Sequence, residues 1–281
     1  MARPSPSPPA VRIRAGPPTA TPRPASPRSG ESLAADIRSA LQPLADAERA
    51  RAMCAYMRDQ FAFLGIATPL RRASVARLCV PPLGRGALLR AARALWALPE
   101  REYRYAAVDL LRRHQAVLGP RDLPALLTLV LREPWWDTVD GMAAVVGGVL
   151  HRELRAGVSA QQTMDRALAD PQMWVRRIAM LHQLGWRDDT DETRLFGYAS
   201  TLAAEPDFFI RKAIGWALRD YARWQPEAVA AFVAGHIAAL SALTVREATK
   251  HLPGHERDTA ATPAPTRRRE VGAATTPIAL Q

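Results

Sequence analysis

LPEREYRYAAVDLLRRH (98–114), EPWWDTVDGMAAVVGGVL (133–150), DPQMWVRRIAMLHQL (170–184) and EPDFFIRKAIGWALRDYA (205–222) share one layout. In each, a proline stands in second place, at Pro99, Pro134, Pro171 and Pro206, with spacings of 35, 37 and 35 residues. Proline breaks a helix that precedes it and is tolerated in the first turn of one that follows. Behind each proline, apolar residues recur at the three- and four-residue intervals of a helix face. A single such proline would mean little. Four at one period, each with the same pattern behind it, mark an internal repeat.

A unit of about 36 residues with two helical stretches is the signature of an α-solenoid of the HEAT-like kind. After Pro206 a second helix is predicted around PEAVAAFVAGHIAAL (226–240), and a last one in SALTVREATKHL (241–252). The composition agrees with this reading. Of the 281 residues, 48% are hydrophobic, mostly the helix formers Ala and Leu, and no long run alternates apolar with polar residues. The expected fold class is all-α, with almost no sheet.

The two ends differ from the middle. Residues 1–30 are Pro, Ala, Ser and Arg without periodicity, and 254–281 read alike, with a cluster at Arg267-Arg268-Arg269. Both are expected to be disordered tails around one repeat domain at 31–253. The net charge is +11 and the sequence pI is near 10.8. Residues 1–30 contribute +5 and 254–281 contribute +1, which leaves +5 for the repeat domain. A basic balance of this kind suits a nucleic-acid partner, and it is not confined to the tails. Only Cys54 and Cys79 are cysteines, without a Cys-x-x-Cys spacing, as expected of a reduced, cytoplasmic chain. No 18 consecutive residues are apolar, so no membrane span is predicted. The histidines, among them His114, His151 and His182, lack ligand spacing, and neither a metal nor a cofactor is expected.

Stacked repeats bring equivalent positions side by side. Six residues beyond the four prolines stand Tyr105, Asp140, Arg177 and Lys212. Their neighbours at three and four residues are largely apolar and pack inward. The four should therefore line one surface, which solenoid curvature usually makes a concave groove. Trp136 and Asp140 lie four apart and share a helix face, as do Lys212 and Trp216. Such a groove holds one carboxylate, two cations and two indoles. Cations suit phosphates, and indoles suit sugar or base surfaces. A lone acid would repel phosphate, and it makes sense where a cationic centre has to be met.

Five segments, in order, carry a family resemblance: FAFLGIATPLRR (61–72), WWDTVD (135–140), MWVRRIAMLHQL (173–184), FFIRKAIGWALRDYA (208–222) and VREATKHL (245–252). They resemble the AlkD-type DNA alkylation-repair glycosylases over nearly all of the repeat domain. The resemblance implies that the catalytic aspartate is Asp140 and that the sugar-contacting tryptophans are Trp136 and Trp216. It places a phosphate-binding arginine on Arg177 and a tyrosine near the first motif on Tyr56. Lys212, Arg71 and Arg72 are further candidates for DNA contact. Arg58 stands where a lysine is common, and the Arg-rich N-terminal extension has no counterpart in the family pattern. The implied activity is monofunctional and cofactor-free. It removes cationic N3- or N7-alkylated purines from double-stranded DNA, by a monomer and without a deep base pocket.

The residue types fit that chemistry. An N3- or N7-alkylated purine is already positively charged and leaves readily. Cleavage of its glycosidic bond builds oxocarbenium character on the deoxyribose, which a carboxylate stabilises while positioning water. Indole faces against the sugar add a smaller term, about 1 kcal/mol each. No proton donor to the base is required.

Simpler readings exist for the same residues. Trp135 lies off the face shared by Trp136 and Asp140 and suits the core. Asp137 suits the first turn of its helix, where the dipole favours acids. Asp140 by itself could pair structurally with Arg177. Two other functions share the groove: a non-catalytic solenoid that binds DNA, and a protein-binding HEAT scaffold. Neither requires an acid between two indoles.

Overall fold

A computed structural model describes residues 29–79 and 82–252. The expected tails at 1–30 and 254–281 fall outside the described residues, apart from Ser29 and Gly30. Thirteen α-helices form among the described residues, with no strand beyond one isolated parallel bridge between Ala62 and Glu100. They are α1 (Gly30–Leu41), α2 (Ala47–Tyr56), α3 (Thr68–Ala76), α4 (Arg85–Trp96), α5 (Arg101–Arg113), α6 (Leu123–Val130), α7 (Trp136–Arg155), α8 (Gln162–Ala167), α9 (Met173–Leu181), α10 (Glu192–Leu202), α11 (Phe208–Tyr221), α12 (Pro226–Gly235) and α13 (Ala242–Thr249).

The helices form two layers. In one layer α3, α5, α7, α9, α11 and α13 stand in a row, each packed against the next. In the other, α6 covers α7, α8 covers α9, α10 rests on α9 and α11, and α12 rests on α11 and α13. This is the α-solenoid that the period predicts. The core runs along the chain between the layers, through Val139, Met142, Val146, Ile178, Leu181, Ile210, Ile214 and Leu218.

The repeating prolines act differently from the expectation. Each stands two residues before its helix begins, and not in the first turn. The residue between, Glu100, Trp135, Gln172 or Asp207, is extended. Proline has no N–H to give a preceding helix, so it ends that element and leaves the next to start two residues on. The last helix of the row, α13, opens on Ser241, whose side chain caps the backbone N–H of Thr244.

Polar bonds between neighbouring repeats preserve the period. Trp96 to Arg132, Arg101 to Asp137, Arg85 to Asp122, Asp140 to Arg177 and His151 to Asp189 span 36, 36, 37, 37 and 38 residues. Close helix contact is what lets short side chains reach across. Gly147 of α7 is one reason for that closeness, because a Cβ there would lie 2.0 Å from the carbonyl oxygen of His182. Only glycine admits this approach of α7 to the end of α9.

Candidate active site

Asp140 leaves α7 one turn after Trp136, while Val139, Met142 and Ala143 enter the core and fix the rotation of the helix. That rotation turns Asp140 toward α9. There Arg177 meets it in a fork, with Nε donating to Oδ1 at 2.7 Å and Nη2 to Oδ2 at 2.8 Å. The third nitrogen, Nη1, donates to the carbonyl of Phe209 at the start of α11. Arg177 thereby ties three consecutive helices of the row together. Its side chain is 1% exposed, whereas that of Asp140 keeps 25% of its surface open.

Burial raises the Asp140 carboxyl above its ordinary value. The hydrogen bonds and charge of Arg177 oppose this, and the nearby Asp137 carboxylate reinforces it. If the ionised form is the working one, activity is lost on acidification, and the loss begins above the ordinary value of 3.8. A rate profile below neutrality should show an acid limb with its midpoint above that value. A rate flat down to it would mean that Asp140 is not the titrating group.

Two aromatic rings lie beside Arg177. The Arg177 guanidinium lies 5.2 Å from the Trp216 ring centre and 5.9 Å from that of Phe209. Lys212 lies 5.1 Å from the Trp216 ring. Tyr56, 64% exposed at the end of α2, stands edge-on to Trp136 with centroids 6.1 Å apart. Trp135, Trp174 and Phe209 form a second aromatic group with centroids 5.0–5.7 Å apart. Trp135 is half-buried in this group and separate from Trp136.

Asp137 belongs to a third network. Arg101 donates to its Oδ2 at 2.8 Å and its Oδ1 at 2.7 Å, and to Thr138 Oγ1 at 2.9 Å. The Tyr105 hydroxyl donates to Asp137 at 2.6 Å. So Asp137 is held by an ion pair, and Tyr105 joins this network and not the Asp140–Arg177 pair. On α13, Glu247 accepts from Lys212, Trp216 and Arg219. Burial works to raise the Glu247 carboxyl, but those three partners outweigh it and leave it lowered.

The family model for DNA alkylation repair enzymes matches residues 37–252 of this chain. The chain belongs to that family. It is also similar to the solved structure of a "Predicted DNA alkylation repair enzyme from Enterococcus faecalis", at 30% identity and a TM-score of 0.69. That similarity covers 75% of this chain and 97% of the other. A comparison with curated proteins gives no match.

In this DNA alkylation repair enzyme the residues named from sequence fall into two sets. Asp140, Arg177, Trp216 and Lys212 come together, and Trp136 with Tyr56 stands one helical turn from Asp140. Arg71 and Arg72 lie on α3, and both reach Asp109 of α5, at 3.0 Å and 3.3 Å. Arg71 is buried beneath the Tyr105 ring, so the DNA contact expected of it is not open in this arrangement. Arg72 is half-exposed and stays available. Arg177, enclosed by Asp140 and the Phe209 carbonyl, likewise faces the carboxylate and not solvent. Sequence reasoning missed Arg101, Phe209 and Glu247. Arg101 had a signal in the period, since it precedes its partner Asp137 by 36 residues.

Among the described residues no group of three or more His, Cys, Asp or Glu could hold a metal, and no helix is long and apolar enough to cross a membrane.

Proposed function

We propose that this chain is a monofunctional DNA glycosylase. It hydrolyses the N-glycosidic bond of N3- or N7-alkylated purines in duplex DNA and uses no cofactor. The observation that carries the reading is one part-exposed carboxylate, Asp140, gripped by Arg177, with Trp136 one turn away and Trp216 against the same arginine.

The electron pair of the glycosidic bond leaves with the cationic purine, which departs as a neutral base. The deoxyribose C1′ becomes electron-poor, and water adds there and loses a proton, giving an abasic site. Asp140 faces the developing positive charge and accepts a hydrogen bond from the incoming water. Arg177 holds the carboxylate oxygens in place, which makes it a positioning residue. The faces of Trp136 and Trp216 flank the sugar, while Lys212, Arg72 and Tyr56 meet the strand.

The purine is already cationic and needs no acid catalyst. Incubation of the full chain with duplex DNA carrying 7-methylguanine or 3-methyladenine should release free base and leave abasic sites. Folded protein that releases neither base rejects this reading. One observation favours a second reading, a non-catalytic DNA-binding solenoid: the bidentate Asp140–Arg177 pair would also serve as a structural staple. That reading predicts salt-sensitive DNA binding with no base release.

A further inference from the structure

VREATKHL (245–252) is the motif with no part in the chemistry so far, and Glu247 lies within it. Its side chain is 15% exposed. Among the described residues, its polar partners all come from one face of α11. Lys212 Nζ approaches Oε1 at 3.0 Å, Arg219 Nη1 donates to Oε2 at 2.6 Å, and the Trp216 indole N–H donates to Oε2 at 3.2 Å. Residues 212, 216 and 219 follow one another at i, i+4 and i+7, so a single carboxylate spans two turns of the helix.

The contact is built into the backbone. A Cβ on Gly215 would lie 2.5 Å from the Glu247 Cβ and 3.0 Å from the Thr244 carbonyl oxygen. The Thr244 hydroxyl donates to the Arg211 carbonyl at 3.1 Å. Glycine at this position lets α13 come close enough for Glu247 to reach the indole edge. The repeat spacing agrees as well. Glu247 stands 35 residues beyond Lys212, as Lys212 stands 35 beyond Arg177, although it lies one residue further into its helix than they do.

We infer that Glu247 is a positioning residue for the reaction. By holding the indole N–H of Trp216, and by keeping Lys212 and Arg219 to either side, it fixes the plane that the tryptophan presents to the substrate sugar. This rests on the glycosylase reading. An indole whose N–H is held by a carboxylate has its rotation set, and a ring free to turn would meet the sugar face only part of the time. The role is distinct from packing, because it depends on an acceptor atom and not on volume.

Two variants separate acceptor from volume: Glu247→Met fills similar space without an acceptor, and Glu247→Gln keeps an amide oxygen. The full chain is labelled with 5-fluorotryptophan, and the Trp216 fluorine resonance is assigned with Trp216→Phe. In Glu247→Met that resonance should move while the others stay. The single-turnover release of 7-methylguanine should fall about tenfold, with the Kd for DNA within about threefold of the parent. Glu247→Gln should restore the rate to within about threefold, since its amide oxygen still accepts from the indole. An unmoved Trp216 resonance in Glu247→Met overturns the inference. So does a rate equal to the parent's, or one that Glu247→Gln fails to restore. If the parent chain releases no base, the glycosylase reading has failed, and the fluorine resonance still decides whether Glu247 places the indole.

Discussion

Asp140→Asn should lower the single-turnover rate of 7-methylguanine release by about a hundredfold, the scale on which a preorganised electrostatic partner acts. The replacement keeps shape and volume and removes the charge. An amide oxygen can still accept from Arg177, whose fork otherwise meets both carboxylate oxygens at 2.7 and 2.8 Å. What disappears is the negative charge that the proposed reaction sets against C1′ as the bond opens. Residual activity is expected, because the cationic purine departs slowly without help. DNA affinity should stay the same or rise, since a charge that repels phosphate has gone from a basic surface. The measurement is a pair of numbers from one preparation: single-turnover rate and Kd. A rate within about twofold of the parent would remove Asp140 from the reaction. A loss of binding equal to the loss of rate would make it a substrate-holding residue instead.

The fold was open to reading because its period is written in residues with a backbone effect. Pro99, Pro134, Pro171 and Pro206 each end one element, and the apolar pattern behind each sets a helix. The same register brought Asp140 to Arg177, and helical spacing brought Lys212 to Trp216. It failed where side-chain length and direction decide. Tyr105 shares the register with Asp140, yet its hydroxyl reaches Asp137, three residues earlier. Arg71 looked like a surface cation in sequence, but Asp109 draws it under Tyr105. Spacing alone does not say which of two charges on neighbouring helices will be enclosed. Glu247 escaped notice because Ser241, and not proline, opens its helix. Proline and a capping serine both mark a helix start, one by ending the preceding chain and the other by satisfying a free N–H. A search keyed to proline therefore stops one repeat early.

Arg101→Ala should destabilise the chain by about 3–5 kcal/mol, the range for removing one partner of a buried ion pair. Arg101 has no exposed surface, and the Asp137 side chain is only 6% exposed. The guanidinium lies 3.8 Å from the Phe61 ring centre and donates to Asp137, Thr138 and the Glu133 carbonyl. Truncation empties this space and leaves the Asp137 carboxylate enclosed, with the Tyr105 hydroxyl as its remaining side-chain donor. The carbonyl of Glu133 loses its side-chain donor at the same time, at a residue whose φ is 54°. Both changes fall just before or within the first turn of α7, the helix that carries Trp136 and Asp140. Arg101→Lys keeps the charge but cannot form the fork, so it should recover only part of the loss. Urea unfolding gives the measurement for both variants. A change below about 1 kcal/mol for Arg101→Ala would show that the network is dispensable. Arg101→Ala should also slow base release under conditions where it is fully folded, because the start of α7 sets where Asp140 points. If the folded variant releases base at the parent rate, Arg101 serves stability alone, and the Asp140–Arg177 pair is sufficient to hold the carboxylate.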